Sequence, residues 1–276
     1  RRASSHPVAR ALHRTPVSFS ADYFSDVAAR YAAYRPSYPP ALVDYLRDIT
    51  RGDTAWDIGC GSGQLTLALA AKFERVIATD PAKAQLAEAP AHPHVEYRVC
   101  PAEDSGLDAG AIDLAVAAQA AHWFDWPRFT AELRRVTQVG SIAALIGYRN
   151  PEIEGEIGRE VTTFIEDIAG PFWPTGRAHI NNGYRDLVLP WPTLEAPAIE
   201  MAVSWTREEF LGYASSWSAT MANRKSWSSS LHSSAESVCS ESTSTSPESI
   251  WSSAASRLTH HHRGRSPTSA AGTTIS

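Results

Sequence analysis

The chain has 276 residues, 43% of them hydrophobic, and a formal net charge of −5. This length accommodates one large α/β domain with extensions, and the acidic balance provides no basic footprint for nucleic acid. No apolar run approaches the roughly 18 residues that a membrane-spanning helix needs. The cysteines, Cys60, Cys100 and Cys239, follow neither a zinc-site nor a disulfide pattern. We therefore expect a cytoplasmic enzyme for a small molecule, with no metal, no nucleic acid or membrane ligand and no obligate protein partner.

The N-terminal segment, residues 1–18, contains four arginines, three serines and no acidic residue. This composition is typical of a mitochondrial transit peptide or of a disordered leader. The following segment predicts a helix that starts after Ser20 and includes Tyr31, and a second helix over residues 41–49. Arg35 lies between two tyrosines in the break between them, where it either faces an anionic ligand or stacks on a ring at the surface.

From residue 54 onward, short apolar runs alternate with helical patterns, which is typical of an α/β fold with a doubly wound, mainly parallel sheet in three αβα layers. Residues 170–197 are rich in proline and aromatic residues, and we expect the segment 151–197 to form a lid or a substrate-facing insert. Strands are predicted at 54–58, 75–79, 95–99, 112–117, 142–146 and 199–205, and helices at 63–72, 81–89, 126–136, 151–169 and 206–217.

A glycine-dense turn follows the first predicted strand, with Gly59, Gly61 and Gly63 in the sequence DIGCGSG. Glycine tolerates a left-handed backbone and leaves the main chain bare, and open α/β sheets bind ligands at the carboxyl ends of their strands. Cys60, inside this turn, has no histidine or basic neighbour in sequence, which favours a packing role over a reactive thiolate. The turn therefore predicts a ligand site.

Two cofactors compete for this turn. A dinucleotide fold requires G-x-G-x-x-G, whereas here the third glycine comes one residue early and Gln64 occupies the sixth position. Asp57, just before the turn, would repel a phosphate and attract an ammonium or sulfonium group. Asp80, at the end of the second strand, is placed to accept the ribose hydroxyls of either cofactor. These features favour S-adenosylmethionine over NAD.

Further residues complete the predicted cofactor site. Ala102 and Glu103, after the third strand, are expected to hold the adenine, although the neighbouring acids Glu103 and Asp104 could equally be solvated loop residues. Gln119, after the fourth strand, is assigned to the same set.

Several motifs in order resemble the class I S-adenosylmethionine-dependent methyltransferases: DIGCGSG at 57–63, Asp80, PAEDSGL at 101–107 and DLAVAA at 113–118. A narrower similarity is to the trans-aconitate methyltransferase-like group, also called methyltransferase type 11. That similarity covers residues 19–220. It rests on YRPSYP at 34–39, AHWFD at 121–125, Trp173 with Arg177, and the segments 209–213 and 216–219.

The resemblance implies in-line transfer of a methyl group to a small-molecule acceptor, with an oxygen such as a carboxylate as the target. Arg35 and Arg177 would then clamp the acceptor through charge-assisted hydrogen bonds. His122 would act as a base only for a hydroxyl or amine acceptor; its alternative role is to support the aromatic loop around it. The resemblance also implies an aromatic acceptor pocket, with Tyr31, Trp123, Trp173, Tyr184 and Trp217 as its candidate walls.

The C-terminal segment departs from this family. After residue 220 serine dominates and no apolar or alternating run of 4–8 residues occurs, so the final antiparallel strand of the class I sheet is expected to be missing and residues 221–276 to be disordered. A shifted reading frame or a wrongly joined exon would explain the change of composition. The alternative functions are a catalytically degenerate methyltransferase-like protein and, less well supported, an NAD-dependent oxidoreductase.

Overall fold

The computed structural model describes residues 28–222, 254–257 and 273–275. The leader 1–18 and the predicted start of the first helix lie outside the described residues. The strands are β1 Thr54–Ile58, β2 Arg75–Asp80, β3 Val95–Val99, β4 Ile112–Ala118, β5 Thr137–Ile146, β6 Thr193–Leu194, β7 Glu200–Val203, β8 Ala254–Arg257 and β9 Thr273–Ile275. The helices are α1 Ala28–Tyr34, α2 Pro40–Ile49, α3 Thr66–Ala70, α4 Lys83–Ala87, α5 Trp126–Val136, α6 Gly155–Thr163, α7 Arg177–Asn181, α8 Arg207–Ser215 and α9 Ser218–Ala222.

Seven of the described strands form a central sheet in the order β3-β2-β1-β4-β5-β9-β6. Neighbouring strands from β3 to β5 are parallel, which confirms the predicted doubly wound α/β fold. The order reverses direction between β1 and β4, and this switch point is where such sheets leave a crevice beyond the carboxyl ends of their strands. Both the glycine turn after β1 and the residues after β4 therefore lie at this edge.

Two apolar clusters cover the two faces of the sheet because successive strand residues point to opposite sides. Ala55 packs in one cluster with Leu46 and Phe73, whereas its neighbour Trp56 packs in the other with Phe129. The Trp56 side chain is fully buried. A third cluster, rich in aromatic residues from the segment after β5, contains Phe164, Met201, Phe210, Tyr213 and Trp217.

The prediction that residues 199–205 form the sixth strand of the central sheet is wrong. Its core, β7, pairs antiparallel with β8 in a separate sheet of two strands. The central sheet instead takes the two-residue β6 from the preceding segment. Pro192 and Pro197 flank β6, and because proline cannot donate a ladder hydrogen bond, this segment supplies only a very short strand.

The prediction that nothing after residue 220 joins a sheet is wrong for β8 and β9. The strand β9 lies between β5 and β6 and is parallel to both, so it does not supply the antiparallel strand that the sequence was expected to lack. Main-chain groups make the ladder, so three residues with β-branched side chains suffice without a longer apolar run. Residues 221 and 222 of the predicted disordered tail are the end of α9, and the rest of that tail lies outside the described residues.

Helix α5 anchors the loop that follows β3. The Glu132 carboxylate accepts hydrogen bonds from the Ser105 amide at 2.9 Å and from the Ser105 hydroxyl, and it pairs with Arg135 at 2.8 Å. The Arg135 guanidinium, aided by the Ser105 donors, lowers the pKa of Glu132 to about 2. Among the described residues, no helix has both the length and the apolar character needed to cross a bilayer.

We expect Glu132→Gln to destabilise the fold by about 1.5–3 kcal/mol at pH 7, the range typical of hydrogen bonds to charged groups. The folded pKa lies below the unfolded value, so the stabilisation is present above about pH 4.3 and is lost as the pH falls through the folded pKa. Urea unfolding at several pH values measures this: the difference from the wild type should shrink as the pH falls from about 4 toward 2.

Glu160→Gln, on the exposed side of α6, is the matched control and should stay within about 0.5 kcal/mol of the wild type. A loss for Glu132→Gln that does not change with pH would contradict the ionic origin of the stabilisation.

Candidate active site at the carboxyl edge of the sheet

The glycine turn after β1 needs its glycines for conformational reasons. Gly59, Gly61 and Gly63 have φ angles of +67°, +57° and +87°, a region that side chains with a Cβ rarely occupy. A Cβ atom on Gly59 would also lie 2.6 Å from the Cβ of Ala120. The Gly59 amide donates to the carbonyl of Thr79 at 2.8 Å, which fixes the turn against β2. The main chain of the turn is therefore bare and rigid.

Asp80, predicted as a ribose ligand, also holds this turn in place. Its Oδ2 accepts a hydrogen bond from the Gly61 amide at 3.0 Å, and its Oδ1 accepts one from the Ala82 amide at 2.8 Å. Burial raises the pKa of Asp80, while these two amides lower it. Each carboxylate oxygen keeps a second lone pair, so the predicted ribose contact and the structural role are compatible. The sequence alone did not indicate the structural role.

Asp57 is a buried carboxyl group with a single hydroxyl contact. It is 1% exposed, and its Oδ2 accepts a hydrogen bond from the Thr66 hydroxyl at 2.6 Å. Burial, reinforced by the charge on Asp80, raises the pKa of Asp57 to about 7. In the part of the chain that the structure describes, no basic side chain forms an ion pair with it. A positively charged ligand would supply the missing compensation.

A first cleft opens at this turn and is called the acidic cleft here. Its empty space, counted together with the open solvent at its mouth, is about 330 Å³. Cys60, which burial makes a weaker acid by raising its pKa, lines it as a packing residue, in agreement with the sequence interpretation. The full lining consists of Pro36, Tyr38, Asp57, Gly59, Cys60, Gln64, Leu65, Ala118 and Tyr148.

A second cleft, called the basic cleft, adjoins the first. Its empty space, counted together with the open solvent at its mouth, is about 500 Å³. It brings together most of the residues predicted for the acceptor site, which come from distant parts of the chain. Among the described residues, its lining contains two arginines and no carboxylate. The lining consists of Arg35, Gln119, His122, Trp123, Tyr148, Asn150, Trp173, Arg177, Ile180, Tyr213, Trp217 and Ser218.

Arg35 is held by hydrogen bonds to neutral groups. Its Nε donates to the Ser216 hydroxyl at 3.1 Å, and its Nη2 donates to the Ser216 carbonyl at 3.1 Å. Its Nη1 donates to the Tyr148 hydroxyl at 3.2 Å, and the guanidinium carbon lies 5.5 Å from the centre of the Tyr213 ring. These contacts orient the guanidinium at the wall of the cleft.

Arg177 is the second cation of the basic cleft. Its guanidinium stacks 4.3 Å from the centre of the Trp173 ring, and its Nη2 donates to the Asn150 side-chain oxygen. Burial lowers the pKa of Arg177, and the nearby charge on Arg35 acts in the same direction. The Nε–H is buried and has no hydrogen-bond partner among the described residues. A buried N–H without a partner costs about 1–3 kcal/mol, so an acceptor atom in the cleft would stabilise it.

His122 is neutral in this environment. Its Nδ1 lies 3.0 Å from the Tyr184 hydroxyl, and burial together with the charges of Arg177, His179 and Arg35 lowers its pKa to about 3. Tyr184 is 1% exposed and lies behind His122 rather than in the lining of the basic cleft. The histidine is thus a weak proton acceptor at neutral pH.

The remaining predicted residues lie elsewhere. Ala102 is buried in the apolar cluster around Trp56, and Glu103 accepts a hydrogen bond from the Asp125 amide at 2.7 Å. Neither lines the two clefts, and their contact with an adenine stays a prediction. Tyr31 belongs to α1, but its side chain is outside the described part of the structure.

Sequence reasoning missed five residues of the basic cleft: Tyr148, Asn150, Ile180, Tyr213 and Ser218. Tyr148 and Asn150 come directly after β5, so the rule that ligands bind at the carboxyl ends of strands could have found them. Tyr213 lies in the segment that carries the narrower family resemblance, but no local pattern marks it as a pocket residue.

Tyr148 joins the two clefts, because it lines both. Its carbonyl accepts a hydrogen bond from the side chain of Gln119 at 2.7 Å. Gln119 has a φ angle of +55°, a strained conformation for a residue with a side chain. Ala118 lines the acidic cleft and Gln119 the basic one. The clefts therefore meet where β4 and β5 end.

Comparisons with known proteins agree with this architecture. Residues 56–145 match the methyltransferase domain family. A Dictyostelium discoideum protein assigned to the methyltransferases is 33% identical over 210 residues, which cover 74% of this chain and 79% of that protein. The solved structure of an Anaeromyxobacter dehalogenans protein, described as a type II methyltransferase, is 40% identical with a TM-score of 0.70; the match covers 81% of this chain and 94% of that one. A Saccharomyces cerevisiae protein, named as an S-adenosylmethionine-dependent methyltransferase, is 29% identical over 135 residues, or 45% of this chain and 46% of that protein.

The doubly wound sheet, with its glycine turn after β1 and its paired clefts, defines a Rossmann-like enzyme with a ligand site at the carboxyl edge. The similarity to the Dictyostelium protein extends over 79% of that protein's length. The chain belongs to the class I methyltransferase family.

We expect Asp57→Asn to stabilise the fold at alkaline pH. The folded pKa of about 7 lies above the unfolded value of about 3.9, so the folded state binds more protons between these values. Wild-type stability therefore falls as the pH rises from about 4 to about 7. One pKa unit corresponds to about 1.4 kcal/mol, so the variant should be more stable by roughly 2–4 kcal/mol at pH 8 and nearly equal at about pH 3.5. Urea unfolding at both pH values measures the difference.

Asp108→Asn provides the matched control, because Asp108 is exposed and its substitution should change stability by less than about 0.5 kcal/mol. The buried-charge interpretation fails if Asp57→Asn is no more stable than this control at pH 8.

Proposed function

We propose that this methyltransferase uses S-adenosylmethionine to methylate a carboxylate oxygen of a small organic acid. The observation that carries the proposal is the pair of oppositely charged clefts that meet at Tyr148. A cationic methyl donor suits the acidic cleft, and an anionic acceptor suits the basic one.

The acidic cleft fits the cofactor in two respects. The turn at Gly59 lines the cleft with a residue that has no side chain, and the Asp57 carboxyl group has no cationic partner among the described residues. When bound, S-adenosylmethionine supplies a methyl group on a positively charged sulfur. Asp57, Gly59, Gly61 and Asp80 would hold it, and the buried carboxyl of Asp57 would repel the pyrophosphate of NAD.

The basic cleft favours a carboxylate acceptor over a hydroxyl or an amine. Two guanidinium groups, those of Arg35 and Arg177, face a cleft whose described lining has no acid, and the Nε–H of Arg177 requires an acceptor. A carboxylate is ionised at neutral pH, so its oxygen attacks without a general base. His122, with a pKa of about 3, is poorly suited to remove a proton and instead supports the wall of the cleft.

Catalysis would then rest on positioning and exclusion of water. Trp123, Trp173 and Trp217 line the basic cleft, and their rings limit the orientations available to a small acceptor. Orientation of two reactants can supply about 7–11 kcal/mol of a barrier. This requires a rigid site, which the contacts of Arg35 and Arg177 provide.

Isothermal titration calorimetry tests the cofactor. We expect the wild type to bind S-adenosylmethionine and not NAD. Asp57→Asn should lower the affinity for S-adenosylmethionine by about tenfold, because about 1.4 kcal/mol of charge interaction is lost. Asp80→Ala is a less specific probe, because it would also release the Gly61 amide.

In this experiment, Asp108→Asn should bind S-adenosylmethionine as the wild type does, because the exposed Asp108 lies outside both clefts. Binding of NAD alone would overturn the proposed cofactor. Binding of neither ligand would favour the catalytically degenerate alternative.

Release of S-adenosylhomocysteine, measured across a panel of small carboxylic acids, phenols and amines, tests the acceptor. We expect turnover with an acid, and Arg177→Gln should raise KM by about 10–100-fold, since a charge-assisted hydrogen bond is worth about 1.5–3 kcal/mol. The exposed Arg159→Gln should leave both kinetic constants unchanged.

His122→Asn separates the two acceptor chemistries. A carboxylate acceptor predicts a change in kcat of less than about tenfold, whereas loss of a general base typically lowers the rate by about 10²–10⁴-fold. Turnover of phenols or amines alone, with such a loss in His122→Asn, would contradict the carboxylate proposal.

A further inference from the structure

Asn150 is a neutral partner of a buried cation. Arginine has only donors, so the atom that accepts from Arg177 Nη2 must be the side-chain oxygen of Asn150. Asn150 follows the end of β5 by four residues and precedes Pro151; proline restricts the backbone of the residue before it. The carboxamide is thus presented to the guanidinium from a constrained position.

The chemistry of this partner matters because an acid would serve the same hydrogen bond better. An aspartate has nearly the same shape as asparagine and would pair with the guanidinium as a charge-assisted, commonly bidentate contact. Such a pair would neutralise Arg177 within the protein. Asparagine instead orients the guanidinium, together with the Trp173 ring, and leaves the positive charge uncompensated.

The unused donor of Arg177 points to the same conclusion. Its Nε–H is buried without a hydrogen-bond partner in the described ranges, although its Nη2 is fixed by Asn150. Arg35 also lines the cleft and is oriented by hydrogen bonds to Ser216 and Tyr148. The described lining of the basic cleft therefore offers Arg177 no carboxylate.

We propose that Asn150 is a positioning residue that determines the anion specificity of the basic cleft: its neutral carboxamide aims Arg177 at the ligand without competing for its charge. This inference rests on the proposed function in that the ligand is the anionic acceptor. It adds that the neutrality of residue 150, and not only its hydrogen bond, sets the specificity.

Stability provides a test that needs no ligand. Asn150→Asp should raise the Tm of the full chain by a few degrees at pH 7.5, because the new carboxylate compensates Arg177. Arg177 would lower the pKa of this aspartate, so the gain should be present above the unfolded value of about 3.9 and be lost as the pH falls below it. Asn181→Asp, an exposed residue of α7, makes the same chemical change and should leave Tm within about 1 °C of the wild type.

Binding provides the second test, with benzoate as an anionic probe and benzamide as its neutral counterpart, both followed by calorimetry. We expect the wild type to prefer benzoate. Asn150→Asp should lower the affinity for benzoate by at least tenfold while changing the affinity for benzamide by less than about twofold. The benzoate affinity of Asn150→Ala should lie between those of the wild type and Asn150→Asp. We therefore expect Asn150→Asp to be more stable than the wild type and to bind the anion less well. If Asn150 had only a structural role, these two effects would not occur together.

The two tests distinguish failure of the role of Asn150 from failure of the proposed function. If Asn150→Asp is no more stable than Asn181→Asp at pH 7.5, or weakens benzoate and benzamide equally, the role of Asn150 is overturned. If the wild type prefers benzamide to benzoate or binds neither, the anionic acceptor of the proposed function is contradicted, and the Tm comparison still decides whether Asn150 leaves Arg177 uncompensated.

Discussion

Buried charge without a partner is the constraint around which this edge of the sheet is built. A charge removed from water is costly unless another charge or several hydrogen bonds compensate it. The acidic cleft holds Asp57, whose raised pKa records that cost, and the basic cleft holds Arg177, whose pKa is lowered for the same reason. The opposite signs of these charges explain why two different ligands, one cationic and one anionic, would be stabilised side by side.

The rigid backbone around the two clefts prevents Asp57 and Arg177 from moving toward each other or toward other charged groups. The turn at Gly59 is fixed to β2, and Asp57 itself belongs to a strand paired on both sides. Gln119 and Tyr184 hold left-handed backbone conformations, which persist only where packing over-determines them. Both residues support the basic cleft, one through the Tyr148 carbonyl and the other through His122. Strain and uncompensated charge thus occur at the same edge.

The fold and the glycine turn of the acidic cleft were predictable because their signals are local. The strand, turn and helix around Gly59 occupy consecutive residues, and glycine is needed there for a steric reason that the sequence displays. The basic cleft combines residues far apart in the chain: Arg35 is 181 residues from Ser216, its hydrogen-bond partner. The arginines were predicted from a family resemblance, but Tyr213 and Asn150 depend on packing that no short pattern encodes. The same limit applies to β9, which pairs through main-chain groups.

Charge also gives the proposed reaction a direction. Transfer of a methyl group from a sulfonium to a carboxylate consumes one positive and one negative charge, and it yields a neutral thioether and a neutral ester. In a site of low effective dielectric, loss of charge is more favourable than it is in water, so the aromatic walls around Trp173 and Trp217 favour the chemical step. The product ester no longer offers an anionic oxygen to Arg177, whose Nε–H has no partner among the described residues. A hydroxyl or amine acceptor would lack this complementarity, because it carries no anion for the two arginines to bind.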